Sequence, residues 1–396
     1  MKKSLSILIT ACLGLFLPFS SAGLAKELAP YVVGFSIDLS GLRAEIGIPE
    51  KWGVNMVFDQ INAAGGINGR KLQAVFYDHA GNEAQAVKNT KRLIEVDKAV
   101  ALLGYEGVSI AYASLATATE AKILLFSGGP CIVSGAPTKE WLFAVCADQK
   151  VASIPILVQN LLDRNCRKIA YLYTDTAFGT LGLGAFNAAC QKRGITPAIT
   201  EKYAPNTIDF SPQLSHIKGS GADGLIITGN AADPAKAIKN ARDLGHNYPI
   251  LCDYSVVGPE FIKLLGKYGD GIVSAGIKTV VAPALPATDP QKKVCMELYN
   301  AYFKELKRID FFVGHGWDMA QLLAKAMEKV DPKLDPTKDV DLAKIRVQIR
   351  DNLEKVQGFV GQNGIFNFSP TDHLGLAEGC YVLVVIKDGK WVLYNK

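Results

Sequence analysis

The sequence predicts an α/β protein of two doubly wound parallel-sheet lobes, joined by a hinge that the chain crosses three times. Three observations predict it. The 396 residues are enough for two domains. Short, continuous apolar strands alternate with helical periods, the pattern of a parallel sheet covered on both faces. That alternation runs once to about Phe126 and starts again at Val151.

Leu28 to Ile37 reads as the first strand, with Val32, Val33 and Phe35 apolar, and Asp38 to Gly47 as a loop. Trp52, Met56, Val57 and Ile61 have helical spacing, so Trp52 to Asn62 reads as a helix. The turn cluster from Ala63 to Gly69 ends it. Lys71 to Tyr77, Ala99 to Leu103 and Ile123 to Phe126 are strands, separated by helices over Asn82 to Val96 and Ser109 to Ala121. The second unit has helices over Val151 to Asp163, Gly179 to Arg193, Phe210 to Lys218 and Pro234 to Leu244. Its strands are Lys168 to Tyr173, Ala198 to Tyr203, Gly224 to Thr228 and Pro249 to Leu251; Phe261 to Leu265 and Gly271 to Ala275 complete it. Three helical segments follow, Asp289 to Lys307, His315 to Val330 and Asp341 to Val356. They have no strong strand between them, so they are expected to return to the first lobe. Cys380 to Ile386 and Trp391 to Leu393 are strands around the hairpin signal Asp388-Gly389. Crossings are expected near Ala147-Asp148, Ile277 to Val280 and Leu374 to Gly379. Residues 28–147 with 279–376 would then form one lobe, and 148–277 with 377–396 the other.

Lys2 and Lys3, the apolar run Leu5 to Phe19, and the small residues Ser20 to Ala25 together read as a signal peptide, residues 1–25, cut after Ala22 or Ala25. An alternative takes Ile9-Thr10-Ala11-Cys12 as a lipobox. The expected location is the periplasm. Without the two leader lysines the net charge of +5 falls to about +3, and basic residues alternate with acids, so no nucleic-acid partner is expected. Of eight cysteines, all but Cys12 belong to the mature chain. Cys166 precedes a strand and Cys190 ends the helix after it, so the two could meet as a disulfide or remain buried thiols. No Cys-x-x-Cys, His-Glu-x-x-His, P-loop or nucleophile elbow is present, so no enzyme activity, metal or cofactor is expected. The glycines of Gly179 to Gly184 read as close helix packing.

The run Asn62-Ala63-Ala64-Gly65-Gly66-Ile67-Asn68-Gly69-Arg70, followed by a strand ending at Asp78, resembles the leucine/isoleucine/valine-binding proteins of ABC importers, which are type I periplasmic solute-binding proteins. Gln85-Ala86-Val87, Ile123 to Ser127, Asp209-Phe210-Ser211 and Ala241 to Gly245 continue the likeness in the family's order. The resemblance implies a monomeric binding protein that closes two lobes on a small carboxylate and serves the permease subunits of an importer. A sensor that reports to a separate membrane receptor is the alternative.

Ligands of open parallel sheets bind beyond the carboxyl ends of the strands, where helix N-termini favour anions. This geometry singles out Gly104 to Ser109 and Ser127 to Cys131. By resemblance, a hydroxyl near Val108 and Ser109 would hold the ligand carboxylate; Ser109 also reads as a helix N-cap. Ser127, Gly129, Pro130 and Cys131 would supply backbone and side-chain contacts, and Gly128 and Gly129 allow close approach. From the second lobe, Phe178 stands where the family commonly has Tyr, and Asn230 where the branched-chain binders have an aromatic. Tyr254, with Asp253 beside it, stands where the family pairs an acid with the ligand ammonium. Ile46, Phe312 and Trp317 add apolar surface. The aromatic set implies a ligand bulkier than leucine, an aromatic or other hydrophobic carboxylate.

Overall fold

The computed structural model describes residues 28–41, 43–129 and 139–395. Its first half comprises β1 (Tyr31–Ile37), α1 (Ala44–Ala63), β2 (Leu72–Asp78), α2 (Glu83–Glu95), β3 (Ala101–Gly104), α3 (Val108–Glu120), β4 (Leu125–Ser127) and β5 (Leu142–Ala144). These strands form one parallel sheet in the order β2-β1-β3-β4-β5. β3, β4 and β5 are buried along their whole length, as strands covered on both faces must be.

The second half adds α4 (Ile154–Asp163), β6 (Ile169–Thr174), α5 (Ala177–Lys192), β7 (Ile199–Tyr203), α6 (Ser211–Gly219), β8 (Gly224–Thr228), α7 (Ala232–Asp243), β9 (Ile250–Cys252), α8 (Pro259–Leu265) and β10 (Val273–Gly276). After α9 (Lys292–Leu306), α10 (Val313–Met327), α11 (Asp339–Leu353) and the short hairpin β11 (Phe359–Val360) and β12 (Ile365–Phe366), the chain ends in β13 (Val382–Lys387) and β14 (Lys390–Leu393). The second sheet runs β14-β13-β10-β9-β8-β6-β7. It is parallel from β7 to β10, and β13 and β14 join antiparallel. Asp388 and Gly389, both at positive φ, turn the final hairpin.

α9, α10 and α11 pack on the first sheet's layer. α10 crosses α1 backbone to backbone: a Cβ on Gly316 would lie 1.9 Å from the Glu50 carbonyl oxygen, and one on Gly53 2.5 Å from that of Val313. The Tyr302 ring of α9 meets Trp52 edge-on at 4.8 Å, and Arg346 of α11 donates to the Ala99 carbonyl at 2.8 Å. The chain therefore passes between the lobes three times: after β5, after β10 and before β13.

Local differences from the expected elements have physical causes. α1 starts inside the expected loop, because Gly47 and Pro49, poor helix formers, are held by packing; a Cβ on Gly47 would sit 2.0 Å from the Asp38 carbonyl oxygen. β5 spans three residues, too few to show a period. Of the α5 glycines, Gly179 and Gly182 abut Thr174 and Tyr171, whereas nothing lies near Gly184.

The Cys166–Cys190 disulfide does not form. Both are buried free thiols, and the Cys166 Sγ points to the Asp223 carbonyl at 3.2 Å. Cys146, Cys252, Cys295 and Cys380 are also free and buried. Reductant should leave the melting temperature of the chain unchanged; a fall of several degrees on adding dithiothreitol would reveal a bridge worth ~2–4 kcal/mol.

Candidate functional site

The first sheet places its switch point between β1 and β3, because the strands to either side are wound in opposite directions. Asp38 to Gly41 and Tyr105 to Gly107 flank that crevice. The parallel part of the second sheet, β7-β6-β8-β9-β10, repeats the order, so its crevice lies between β6 and β8. Asp175-Thr176 and Gly229 to Ala231 flank it.

The lobes are in contact. Tyr254 stacks on Phe311 at 5.5 Å, meets Tyr381 edge-on at 5.6 Å, and accepts a hydrogen bond from Cys146 Sγ at 3.5 Å. Phe311 N–H donates to the Val257 carbonyl at 3.3 Å. Beside these rings lies a cavity of about 30 Å³, lined by Glu45, Asp310 and Phe312 on one side and by Ala231, Ser255 and Glu260 on the other.

Of the expected first-lobe residues, Val108 and Ser109 open α3, but the N-cap is Gly107 at φ 102°, so Ser109 does not cap the helix. Ser127 is buried; its hydroxyl donates to the Tyr105 carbonyl at 3.0 Å and accepts from Gly129 N–H at 3.1 Å, tying the β3 and β4 loops together. A Cβ on Gly129 would fall 2.4 Å from Gly107 N, so those loops meet backbone to backbone. Pro130 and Cys131 lie outside the described residues. Ile46 is half-buried on α1, Phe312 is buried at the cavity, and Trp317 is buried one turn further on, 6.2 Å from the Phe359 ring.

In the second lobe, Phe178 is half-buried at the start of α5 with its ring 5.9 Å from Tyr254. Asn230 is exposed, and its carbonyl accepts from Asp233 N–H at 3.2 Å. Asp253 is fully buried. Its carboxylate accepts from Tyr254 N–H at 2.8 Å and from the Gln149 amide. Burial raises its pKa, partly offset by those hydrogen bonds. Phe178 thus packs on Tyr254, which is buried between the lobes, Phe312 borders the cavity, and Asp253 faces inward.

Four buried polar residues beneath the first-lobe loops were not anticipated. His79 Nε2 lies 3.1 Å from Glu106 Oε2, which also accepts from Asp38 N–H at 3.1 Å. His315 Nδ1 lies 3.3 Å from Glu50 Oε1. The second oxygens, Glu50 Oε2 and Glu106 Oε1, have no donor among the described residues. Burial first, and the neighbouring Glu106 second, hold the Glu50 pKa well above the usual carboxylate range. Burial pushes His315 down to about 3, leaving it neutral. The Glu50 carboxyl lies against Gly128: a Cβ there would come within 2.4 Å of Oε1. One sequence signal existed. Glu50 shares a helical face with the buried Gly53, Val54 and Val57, and a charged residue in that register must be paired or neutral.

Among the described residues no helix is long and apolar enough to cross a membrane. None of their His, Cys, Asp and Glu side chains form a group that could hold a metal ion.

The sequence model of the periplasmic binding proteins matches residues 30–390. An amino acid binding protein of Pseudomonas aeruginosa is 27% identical over 283 residues, covering 69% of this chain and 72% of that protein. A Leu/Ile/Val-binding protein homolog of Brucella suis is 25% identical over 255 residues, and the match spans only 61% of either protein. Among solved structures, an extracellular ligand-binding receptor from Rhodopseudomonas palustris superposes with a TM-score of 0.84 at 21% identity, covering 93% of this chain and 100% of that one. The branched-chain amino acid transporter substrate binding protein of Streptococcus pneumoniae, solved with isoleucine, gives 0.75 at 22% identity over 93% of this chain and all of its own. At these identities the two structures speak to the fold alone.

Proposed function

The chain belongs to the periplasmic binding protein family, and on that premise we propose that it closes its two lobes on a small hydrophobic carboxylate outside the cytoplasm and hands it to an ABC importer. Membership supports a solute-binding role. The observation that carries the choice of ligand is the state of Asp253. An α-ammonium buried in a closed cleft needs a compensating charge. Asp253 is the acid nearest the position where the family pairs it, and its carboxylate is turned inward and committed to Gln149 and Tyr254 N–H. Phe312 meanwhile borders the cavity, and Phe178 packs on Tyr254 between the lobes, an apolar setting that favours an aromatic or branched apolar carboxylate.

A second reading keeps an α-amino acid, as the names of the Pseudomonas and Brucella relatives favour. Its ammonium would be met by the acids of the inter-lobe cavity. Asp310 there is engaged by Tyr302 at 2.5 Å and Arg308 at 2.9 Å, and Glu260 by Lys263 at 3.7 Å, leaving Glu45 as the acid without an ion pair among the described residues.

One screen separates the two. Melting temperatures are measured with matched pairs, 4-methylpentanoate against leucine and 3-phenylpropanoate against phenylalanine. A ligand at 100 times its Kd stabilises by about 2.7 kcal/mol. The carboxylates without an ammonium should give the larger rise, and X-ray scattering with them should show a smaller radius of gyration than without. Larger rises with leucine and phenylalanine would favour the second reading; no rise and no compaction with any of the four would sink both.

A further inference from the structure

Among the described residues, Arg43 differs from every other arginine. Arg308 and Arg350 pair with acids. Arg70, Arg167, Arg193, Arg242 and Arg346 donate to backbone carbonyls. Arg164 donates to the Tyr394 hydroxyl at 3.2 Å, and Arg92 lies 4.8 Å over the Tyr77 ring. The Arg43 guanidinium has no hydrogen bond, ion pair or ring among the described residues, yet it is half-buried.

Its position is fixed by what precedes and follows it. Asp38 accepts from Arg43 N–H at 3.1 Å and from Gly41 N–H at 2.6 Å, folding the β1 loop back on itself. Arg43 then starts α1, and its carbonyl accepts from Ile46 and Gly47 N–H at 2.8 and 3.1 Å. The side chain reaches across the switch-point crevice to the β3 loop, where its Cζ lies 3.1 Å from the point a Cβ on Gly107 would occupy. Any side chain at position 107 would displace the guanidinium. The residues after Gly107 are Val108 and Ser109, and Ile46 follows one turn along α1. A cation with no ion pair among the described residues thus stands at the crevice where a fold of this kind receives its ligand.

We propose that Arg43 anchors the ligand's carboxylate, taking it on the guanidinium over Gly107 while the rest of the ligand extends toward Phe178, Tyr254 and Phe312. This rests on the reading that the cleft binds a hydrophobic carboxylate. The planar guanidinium can hold both carboxylate oxygens, and the closed lobes would shield that pair from water. The Ser127 hydroxyl is already committed to the loops, and the charge supplies what that hydroxyl does not.

The test uses titration calorimetry on the parent chain and on Arg43→Gln and Arg43→Lys, with 3-phenylpropanoate, 4-methylpentanoate and their primary amides. Arg43→Gln should weaken both carboxylates by about 30-fold or more, the usual result of removing one partner of a desolvated charge pair. The amides should change by less than about threefold, and Arg43→Lys should retain part of the carboxylate affinity. An unchanged melting temperature of the ligand-free variants shows that the fold is intact. Carboxylate affinity unaltered in Arg43→Gln, or equal losses for carboxylates and amides, would overturn the role of Arg43 while leaving the binding function standing. If the parent binds neither carboxylate, the underlying function fails as well.

Discussion

Replacing Gly316 by alanine is expected to destabilise the protein by about 3 kcal/mol or more, the upper end for overpacked cores. Alanine improves helix propensity by about 1 kcal/mol over glycine, which would make the change favourable on an isolated helix. Here the new Cβ would stand 1.9 Å from the Glu50 carbonyl oxygen. That atom is main chain, so α1 and α10 must separate, and the buried Gly53 contact on the same crossing is lost with it. Gly184→Ala is the counterpart. It is also a helix glycine, but nothing lies within 4 Å of its added carbon, so it should gain up to about 1 kcal/mol. Urea unfolding of the two variants should give midpoints displaced in opposite directions. Midpoints displaced the same way would show that the α1–α10 crossing is looser than described.

The second large effect is on pH dependence. Glu50 has a folded pKa raised above 4.5, because it is buried and faces Glu106. The folded state therefore keeps a proton that the unfolded chain gives up, and stability falls as pH rises from about 4.5 through the folded value. Within that window each pH unit costs about 1.4 kcal/mol. Glu50→Gln removes the titration and offers an amide N–H to Glu106 Oε1 at every pH, while its carbonyl oxygen can still face His315. The variant should match the parent near pH 4 and become more stable than it as pH rises above about 4.5. Denaturant midpoints measured from about pH 4 upward check this; a difference independent of pH would mean that folding does not favour the protonated Glu50 carboxyl.

Features carried by local pattern were legible in the sequence. β6 and β8 are unbroken apolar runs, and Asp388-Gly389 announces its hairpin. The likeness around Asn62 to Arg70 pointed to the family. Features that depend on which side chain fills which space were not. Gly47 and Pro49 argued against a helix that Asp38 packing nevertheless starts at Ala44. The strand start at Cys166 and the helix end at Cys190 suggest a bridge, but the Cys166 thiol is turned to the Asp223 carbonyl instead. The His79–Glu106–Glu50–His315 chain draws on four separate elements, so no spacing could announce it; only the misfit of Glu50 on an apolar helical face hinted at it. Arg43 went unremarked because an arginine at the start of a helix is ordinary until the glycine beneath it is seen.

The crossing of α1 by α10 also has a consequence for how the molecule comes to be made. Glu50 and His315, which face each other there, are 265 residues apart. As the polypeptide emerges during translation, the first sheet can assemble early, but the bare glycine face of its leading helix waits for the last third of the chain. Contacts between such distant segments close slowly. The newly made lobe accordingly spends its early life open on one flank, with Gly53 of α1 uncovered until α10 arrives.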